Sequence, residues 1–471
     1  MIVSTEFDIK DQQLVLSYYG KNGELEFLNK KLHQSDMFNW VKTTTPTEFR
    51  NWDGTFLKKQ ESKYVSRFRC EEIIKDRFTE NETAIIFAPN NPKKYYLDIE
   101  IDLQSSDFPD AERALMPVGM ISLINEDNVV YILSSMSGFG KDKKDEMTAR
   151  LTEDTNSYFK SLNDNPSTSK LNTTFTIRYL EFETEVELME TFFHKMLPKI
   201  PFLTGWNVIA FDWLYLINRC ARLNIDPTLK VKGKLIGKAK MLSHFGLVDY
   251  MEVFKSIKPI KVVENYKLDY IANLILGVSK LKTSYSSMMV AQKDKYNFLL
   301  YNIIDTALVK LMEDKLDLLS VVFSIATVAN IEVSKIFSNV YLTETLMCRE
   351  FLKIDKKLAN DKRAPVDDAG YEGAYVMSPL PGYYEYVACY DFASMYPNIQ
   401  IQFNISPDSY IGKGAPLPGE IFTKNNTRFT NKFDSVARKI LTNLYDERVS
   451  IKKIIKQLKV LKESKQNAQL N

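Results

Sequence analysis

Asp98 and Glu100 stand two residues apart in the stretch Tyr95-Tyr96-Leu97-Asp98-Ile99-Glu100-Ile101. On a strand, such a pair points to one face. Two carboxylates closing an otherwise apolar strand repel each other unless a positive charge lies between them. A hard divalent cation meets that need, because Mg²⁺ takes one or two protein carboxylates together with substrate phosphates. Alone, the pair is also the ordinary composition of a solvated strand edge, so its meaning depends on its company. The segment Thr204-Gly205-Trp206-Asn207-Val208-Ile209-Ala210-Phe211-Asp212 is the second member. Val208 to Phe211 read as a strand that delivers Asp212 where a helix opens at Trp213-Leu214-Tyr215-Leu216-Ile217; by itself Asp212 would be an N-cap. The third member is Tyr301-Asn302-Ile303-Ile304-Asp305, in a helical pattern continuing through Leu308, Val309 and Met312. Tyr301 and Asp305 are i and i+4 and share one helix face, which on its own describes a buried Tyr beside a surface Asp.

Together these segments supply four carboxylates and a tyrosine. Their order and spacing resemble the proofreading 3′→5′ exonucleases of the DEDD class, in the form with Tyr rather than His in the last motif. The resemblance implies an RNase H-like domain in which two metals about 4 Å apart clamp the attacking and leaving oxygens of a phosphodiester. It implies Asp98, Glu100, Asp212 and Asp305 as ligands and Tyr301 as the group orienting the attacking water. His33, His194 and His244 all lie outside these motifs. Asp102 is read as a bystander.

A fourth segment, Tyr390-Asp391-Phe392-Ala393-Ser394-Met395-Tyr396-Pro397-Asn398-Ile399, resembles the first catalytic motif of family B DNA polymerases. That resemblance implies that Asp391 and the backbone carbonyl of Phe392 hold the polymerase metals. It implies that Tyr396 stacks under the incoming sugar and rejects a 2′-hydroxyl. Met395 stands where Leu is commoner, a volume-conserving change. Upstream, Tyr371-Glu372-Gly373-Ala374-Tyr375 resembles the element that contacts the template strand, which makes Tyr371 and Gly373 DNA-binding candidates. Leu203-Thr204-Gly205-Trp206-Asn207 and Asn404-Ile405-Ser406-Pro407 resemble the T-even-type bacteriophage replicative polymerases, with similarity of order and spacing over residues 90–455. About 95 residues precede the first motif, a longer N-terminal region than protein-primed phage polymerases usually carry. Tyr445-Asp446-Glu447-Arg448-Val449-Ser450-Ile451-Lys452 resembles the first fingers helix, where Arg448 and Lys452, one turn apart, grip the triphosphate. The family's Lys-x-x-x-Asn-Ser-x-Tyr-Gly helix and Asp-Thr-Asp turn do not occur in these residues.

The resemblance implies Mg²⁺ as cofactor, two per active site, with Mn²⁺ as the alternative. The implied partners are a DNA primer-template, a single-stranded 3′ end and dNTPs. They further include a C-terminal polymerase chain carrying the remaining motifs and a sliding clamp reached through that chain. The implied location is the host cytoplasm. The first reading is thus the N-terminal part of a family B polymerase, completed by a second chain. The second is a truncated or stand-alone 3′→5′ exonuclease without polymerase activity. A third, a non-catalytic interaction module with relic acids, is disfavoured by the intact carboxylate set. Phe108 beside the first motif, and Phe211 or Trp213 beside the second, are candidates for stacking a 3′-terminal base; Phe211 and Trp213 read first as core.

These groups need several domains to carry them. At 471 residues roughly three are expected, and 45% apolar with 26% charged residues is ordinary for globular chains. No run of about 18 apolar residues occurs, so no membrane span is expected, and the N-terminus lacks the pattern of a signal peptide. Cys70, Cys220, Cys348 and Cys389 are scattered, which argues against zinc and suits the reduced thiols of a cytosol. The net charge of +2 hides a local excess: residues 438–471 hold nine Lys or Arg against three acids, a stripe suited to phosphate contacts. Leu229 to Lys238 reads as a basic β-hairpin with Gly turns, a candidate strand separator.

The expected fold class is α/β and α+β multidomain. An α+β N-terminal domain spans residues 1–92. A DEDD-type exonuclease domain spans 93–317, with a surface loop from Asp154 to Asn172. A helical return to the N-terminal domain follows at 318–360, then an incomplete palm at 361–437 and an incomplete fingers helix pair at 438–471.

Overall fold

The computed structural model describes the chain apart from residues 106–107, 282–287, 361–374, 416 and 470–471. The chain divides into two compact units, Met1–Leu32 with Arg77–Leu342, and His33–Asp76 with Thr343–Asn471.

The first unit is organised by a six-stranded mixed sheet. In spatial order its strands are Gly246–Asp249, Phe202–Gly205, Lys94–Ile101, Val118–Asn125, Val129–Ser134 and Thr176–Glu181. The first three run parallel to one another, the next two pairings are antiparallel, and the last is parallel. Helices cover both faces, the α/β solution for a sheet that must bury two apolar surfaces. Alternation along Lys94–Ile101 sends Leu97, Ile99 and Ile101 into one core with Phe192, Phe193, Trp213 and Leu216. The 22-residue helix Lys295–Leu316 lies on the opposite face, against Lys94–Ile101 and Val118–Asn125. Asp294 caps its start by accepting from the Asn297 N–H at 3.2 Å. Near its end the buried Glu313 carboxylate accepts from Leu318 N (2.9 Å) and Leu319 N (3.1 Å), opening the next helix, Leu318–Ala329.

The first 32 residues belong to this same unit. Strands Ile2–Asp8, Gln13–Tyr19 and Leu25–Lys31 form an antiparallel meander. The amine of buried Met1 donates to Ala88 O at 2.6 Å, and Tyr19 Oη donates to Pro201 O at 3.2 Å. The basic segment does form a hairpin, but its strands are Leu235–Ile236 and Met241–Leu242, so the expected span of 229–238 lies too early. The supposed loop from Asp154 begins inside a helix, Lys144–Tyr158.

In the second unit, the hairpin Phe38–Thr43/Phe56–Glu61 is tied through Trp40 to the helix Arg67–Arg77, which in turn bonds the helix Asn339–Lys353 through Arg67–Thr345 and Glu71–Arg349. Buried Glu72 is the hub. It receives Arg69 (2.7 Å), Lys357 (2.8 Å) and the Trp40 indole N–H (2.8 Å). Residues 1–92, expected as one domain, are thus shared between the two units, and within 318–360 only the part after Leu342 packs with residues 33–76. A three-stranded sheet follows, ordered Tyr410–Lys413, Thr427–Thr430, Glu420–Phe422. The expected fingers helix pair is instead one continuous 34-residue helix, Val436–Gln469.

Among the described residues no helix is long and apolar enough to cross a membrane. Cys70, Cys220 and Cys348 are buried and Cys389 is exposed, and none of the four forms a disulfide.

Candidate metal centre

Asp98 and Glu100 project from the Lys94–Ile101 strand towards the helix Lys295–Leu316, which contributes Asp305. Carboxylate oxygens of Asp98, Glu100 and Asp305 all lie within 4.8 Å of one another. Asp212 is not part of this oxygen cluster but sits beside it, delivered by a different route. The strand ends at Gly205, and Val208–Phe211 is not a strand: Ile209–Trp213 forms a π-helical turn, closed by Trp213 N–H donating to Val208 O at 2.7 Å. Asp212 therefore sits within this turn and is not an N-cap. Its Oδ1 accepts from the Ile99 N–H at 3.1 Å, the amide between the two strand carboxylates. A Cβ on Gly205 would meet Leu97 O at 2.4 Å, so only glycine lets the turn approach the strand this closely.

Burial and the nearby Asp305 charge push Asp98 up to about 7, against the pull of Lys280 and the Asn302 amide. Burial, then the Asp98 and Asp305 charges, drive Glu100 well above the usual carboxylate range. Asp212 is raised by burial and by Asp98, and Asp305 by burial, with Lys280 opposing. Acids crowded in this way keep protons until a cation replaces them. The donor set is all oxygen, as a hard cation requires. Asp305 Oδ1 is buried without a hydrogen-bond partner in good geometry. The residues thus fit a divalent cation.

Three participants were not singled out from sequence. Asn302 Nδ2 donates to Asp98 Oδ2 at 2.6 Å. Lys280 Nζ donates to Tyr301 Oη at 3.1 Å and pairs closely with Asp305 Oδ2. Burial works against the Lys280 charge, but Asp305, Tyr301 and Asp98 outweigh it and hold the ammonium protonated. Burial, then the Asp305 charge, raise the Tyr301 phenol, so it stays neutral. Asp249 binds backbone amides of the Asp212 turn. Asn302 follows Tyr301 directly, but nothing in its spacing announces a bond to Asp98 across 204 residues.

The carboxylates open into a cleft of about 660 Å³ lined also by Phe108, Trp206, Asn207, Phe211, Met289 and Tyr301. Phe108 is 84% exposed, its ring 5.8 Å from that of the half-buried Phe211. Trp213 is fully buried, stacked on Phe245 at 5.9 Å, and belongs to the core.

The second unit treats its acidic motif differently. Asp391 and Phe392 lie exposed in a stretch without strand or helix, and Tyr396 is exposed on the helix Met395–Gln402. Arg448 Nη1 donates to Ser394 Oγ at 3.2 Å, which brings it beside this motif, while Lys452 is exposed. Asn404 is fully buried and holds the neighbouring segments together. Its amide donates to Thr430 O (2.7 Å) and Phe433 O (3.0 Å) and accepts from Ser435 N (3.0 Å). Tyr371 and Gly373 lie outside the described residues.

Residues 71–286 match the exonuclease domain of DNA polymerase family B, and residues 332–471 match DNA polymerase family B itself. The chain belongs to the family B DNA polymerases. It is 27% identical over 384 residues to the DNA-directed DNA polymerase of Escherichia phage RB69, covering 74% of this chain and 41% of that protein. It is 29% identical over 272 residues to a DNA polymerase of Archaeoglobus fulgidus, covering 54% of this chain and 32% of the relative. With the DNA-directed DNA polymerase of Enterobacteria phage T4 the identity is 23% over 303 residues, 58% of this chain and 33% of the relative. The matched part therefore spans less than half the length of each of these relatives.

Proposed function

We propose that the first unit is a two-metal 3′→5′ exonuclease that removes nucleotides from a single-stranded DNA end, as the proofreading part of a DNA polymerase. The observation that carries this reading is the set Asp98, Glu100 and Asp305, with oxygens within 4.8 Å of one another at the floor of an open cleft. Asp98, Glu100, Asp212 and Asp305 would hold Mg²⁺ or Mn²⁺, which when bound supplies an activated water and charge stabilisation for phosphodiester cleavage. The residues themselves define the rest. The neutral Tyr301 phenol can hold a water by hydrogen bonding but cannot take its proton. Lys280 fixes that phenol and offsets the Asp305 charge. Phe108, exposed at the cleft, offers a face on which a terminal base can stack.

Polymerisation is the second part of the proposal. Asp391, the Phe392 carbonyl and Tyr396 would serve a primer-template and an incoming dNTP, with Arg448 and Lys452 on its phosphates. The closeness of Arg448 to Ser394 supports this grouping.

Digestion of a 3′-labelled single-stranded oligonucleotide tests the exonuclease. Asp98→Ala with Glu100→Ala should abolish it, since losing metal ligands removes several kcal/mol of transition-state stabilisation. Tyr301→Phe should slow it less. Undiminished digestion by the purified, folded double variant would overturn the assignment.

A further inference from the structure

Asp249 ends the edge strand Gly246–Asp249 and pairs in register with Gly205, where the neighbouring strand stops. It is also the N-cap of the helix Tyr250–Ile257, accepting from Met251 N at 3.0 Å through Oδ1. A cap requires no more than that. Yet the same Oδ1 accepts from Asn207 N at 3.1 Å, and Oδ2 accepts from Ile209 N at 3.2 Å. Asn207 has a left-handed backbone, φ 62°, and Ile209 begins the π-helical turn that carries Asp212 three residues later. One buried carboxylate, 4% exposed, thus clamps the opening residues of the bend that delivers a metal-ligand candidate. It lies outside the acidic cluster and does not line the cleft.

We propose that Asp249 is a positioning residue for the exonuclease, fixing Asp212 against the Ile99 amide through the backbone of the Asn207–Trp213 bend. Asp212 is held from two sides, by Ile99 N–H on its own carboxylate and by Asp249 through the turn. Removing the second support lets the π-helical turn relax towards an ordinary α-helical turn, which shifts every later side chain around the helix axis. This inference rests on the exonuclease reading of the cluster.

Asp249→Asn is the discriminating variant. Asn caps helices as well as Asp, and its remaining oxygen can still accept from Asn207 and Met251. Its amide nitrogen, however, meets the Ile209 N–H donor to donor. Exonuclease rate is measured against Mn²⁺ concentration, with thermal melting of the same samples. The expected result is a melting temperature near the parent's and a rate or apparent metal affinity lower by about 10- to 100-fold, with the rate recovering at high Mn²⁺. Asp249→Ser, which keeps only the cap, should show a larger loss of the same kind. A parent-like rate and metal dependence in both variants overturns the proposal. So does failure of both to fold, because Asp249 would then be a folding residue. Asp212→Ala, run alongside, separates the two readings. If it too digests normally, the exonuclease assignment of this site fails; if it is dead while Asp249→Asn is normal, only the positioning role fails.

Discussion

The carboxylate cluster makes the first unit sensitive to pH in a direction set by its raised acids. A carboxyl whose folded value exceeds its unfolded value stabilises the fold below the unfolded value and loses that contribution as pH rises through the folded one. For Asp98 that window runs from about 4, the ordinary Asp value, to about 7. Without divalent cations, the melting temperature should therefore fall between about pH 4 and about pH 7, and Asp98→Asn should flatten the fall. Added Mn²⁺ should raise the melting temperature most at the alkaline end. A cation increment that does not vary with pH would contradict the burial-driven shift. Asp98, Glu100 and Asp305 were legible because carboxylates at i and i+2 on a strand, and Tyr and Asp at i and i+4 on a helix, have directions fixed by local geometry. Lys280, Asn302 and Asp249 were not, because each acts through a contact that only the assembled sheet and helix create.

At the scale of elements, the misread segment is Val208–Phe211. A short apolar run looks the same as strand or helix, since neither period can establish itself in four residues. The true strand, Phe202–Gly205, is only four residues long and lies just before it. Gly205 is where the two meet. Gly205→Ala should destabilise the first unit by about 1–3 kcal/mol, the usual cost of overpacking, because the added methyl faces Leu97 O at 2.4 Å. Urea unfolding measures this, and an unchanged midpoint would mean the turn can retreat from the strand without cost. The expected fingers pair failed for a plainer reason. Nothing between Val436 and Gln469 is Gly or Pro, so no residue breaks the helix.

Across the whole molecule, the α/β character of the exonuclease region followed from its motif order, whereas the division into units did not. The chain leaves the first unit after Leu32, returns at Arg77 and leaves again after Leu342. Such returns depend on pairings like Trp40 with Glu72 and Glu72 with Lys357, which no local pattern encodes. The two acidic motifs also differ in state: the Asp98, Glu100 and Asp305 carboxylates are assembled, while Asp391 is exposed in a stretch without strand or helix. Residues 1–471 by themselves should therefore degrade a 3′ end but incorporate no nucleotide, because one carboxylate cannot hold a metal pair for in-line attack. Primer extension with the purified chain measures this, and robust incorporation free of contaminating polymerase would refute it.

The exposure of Cys389 gives this motif its own reporter. Burial pushes the Cys348 thiol up to about 12 and raises Cys220 as well, so neither forms thiolate near neutrality. Cys70 is buried too, which leaves Cys389, two residues before Asp391, as the accessible thiol. A maleimide fluorophore should label the folded protein at this one position, and Cys389→Ser should remove the signal. Its anisotropy would then track, in real time, whether primer-template or nucleotide engages the stretch around Asp391.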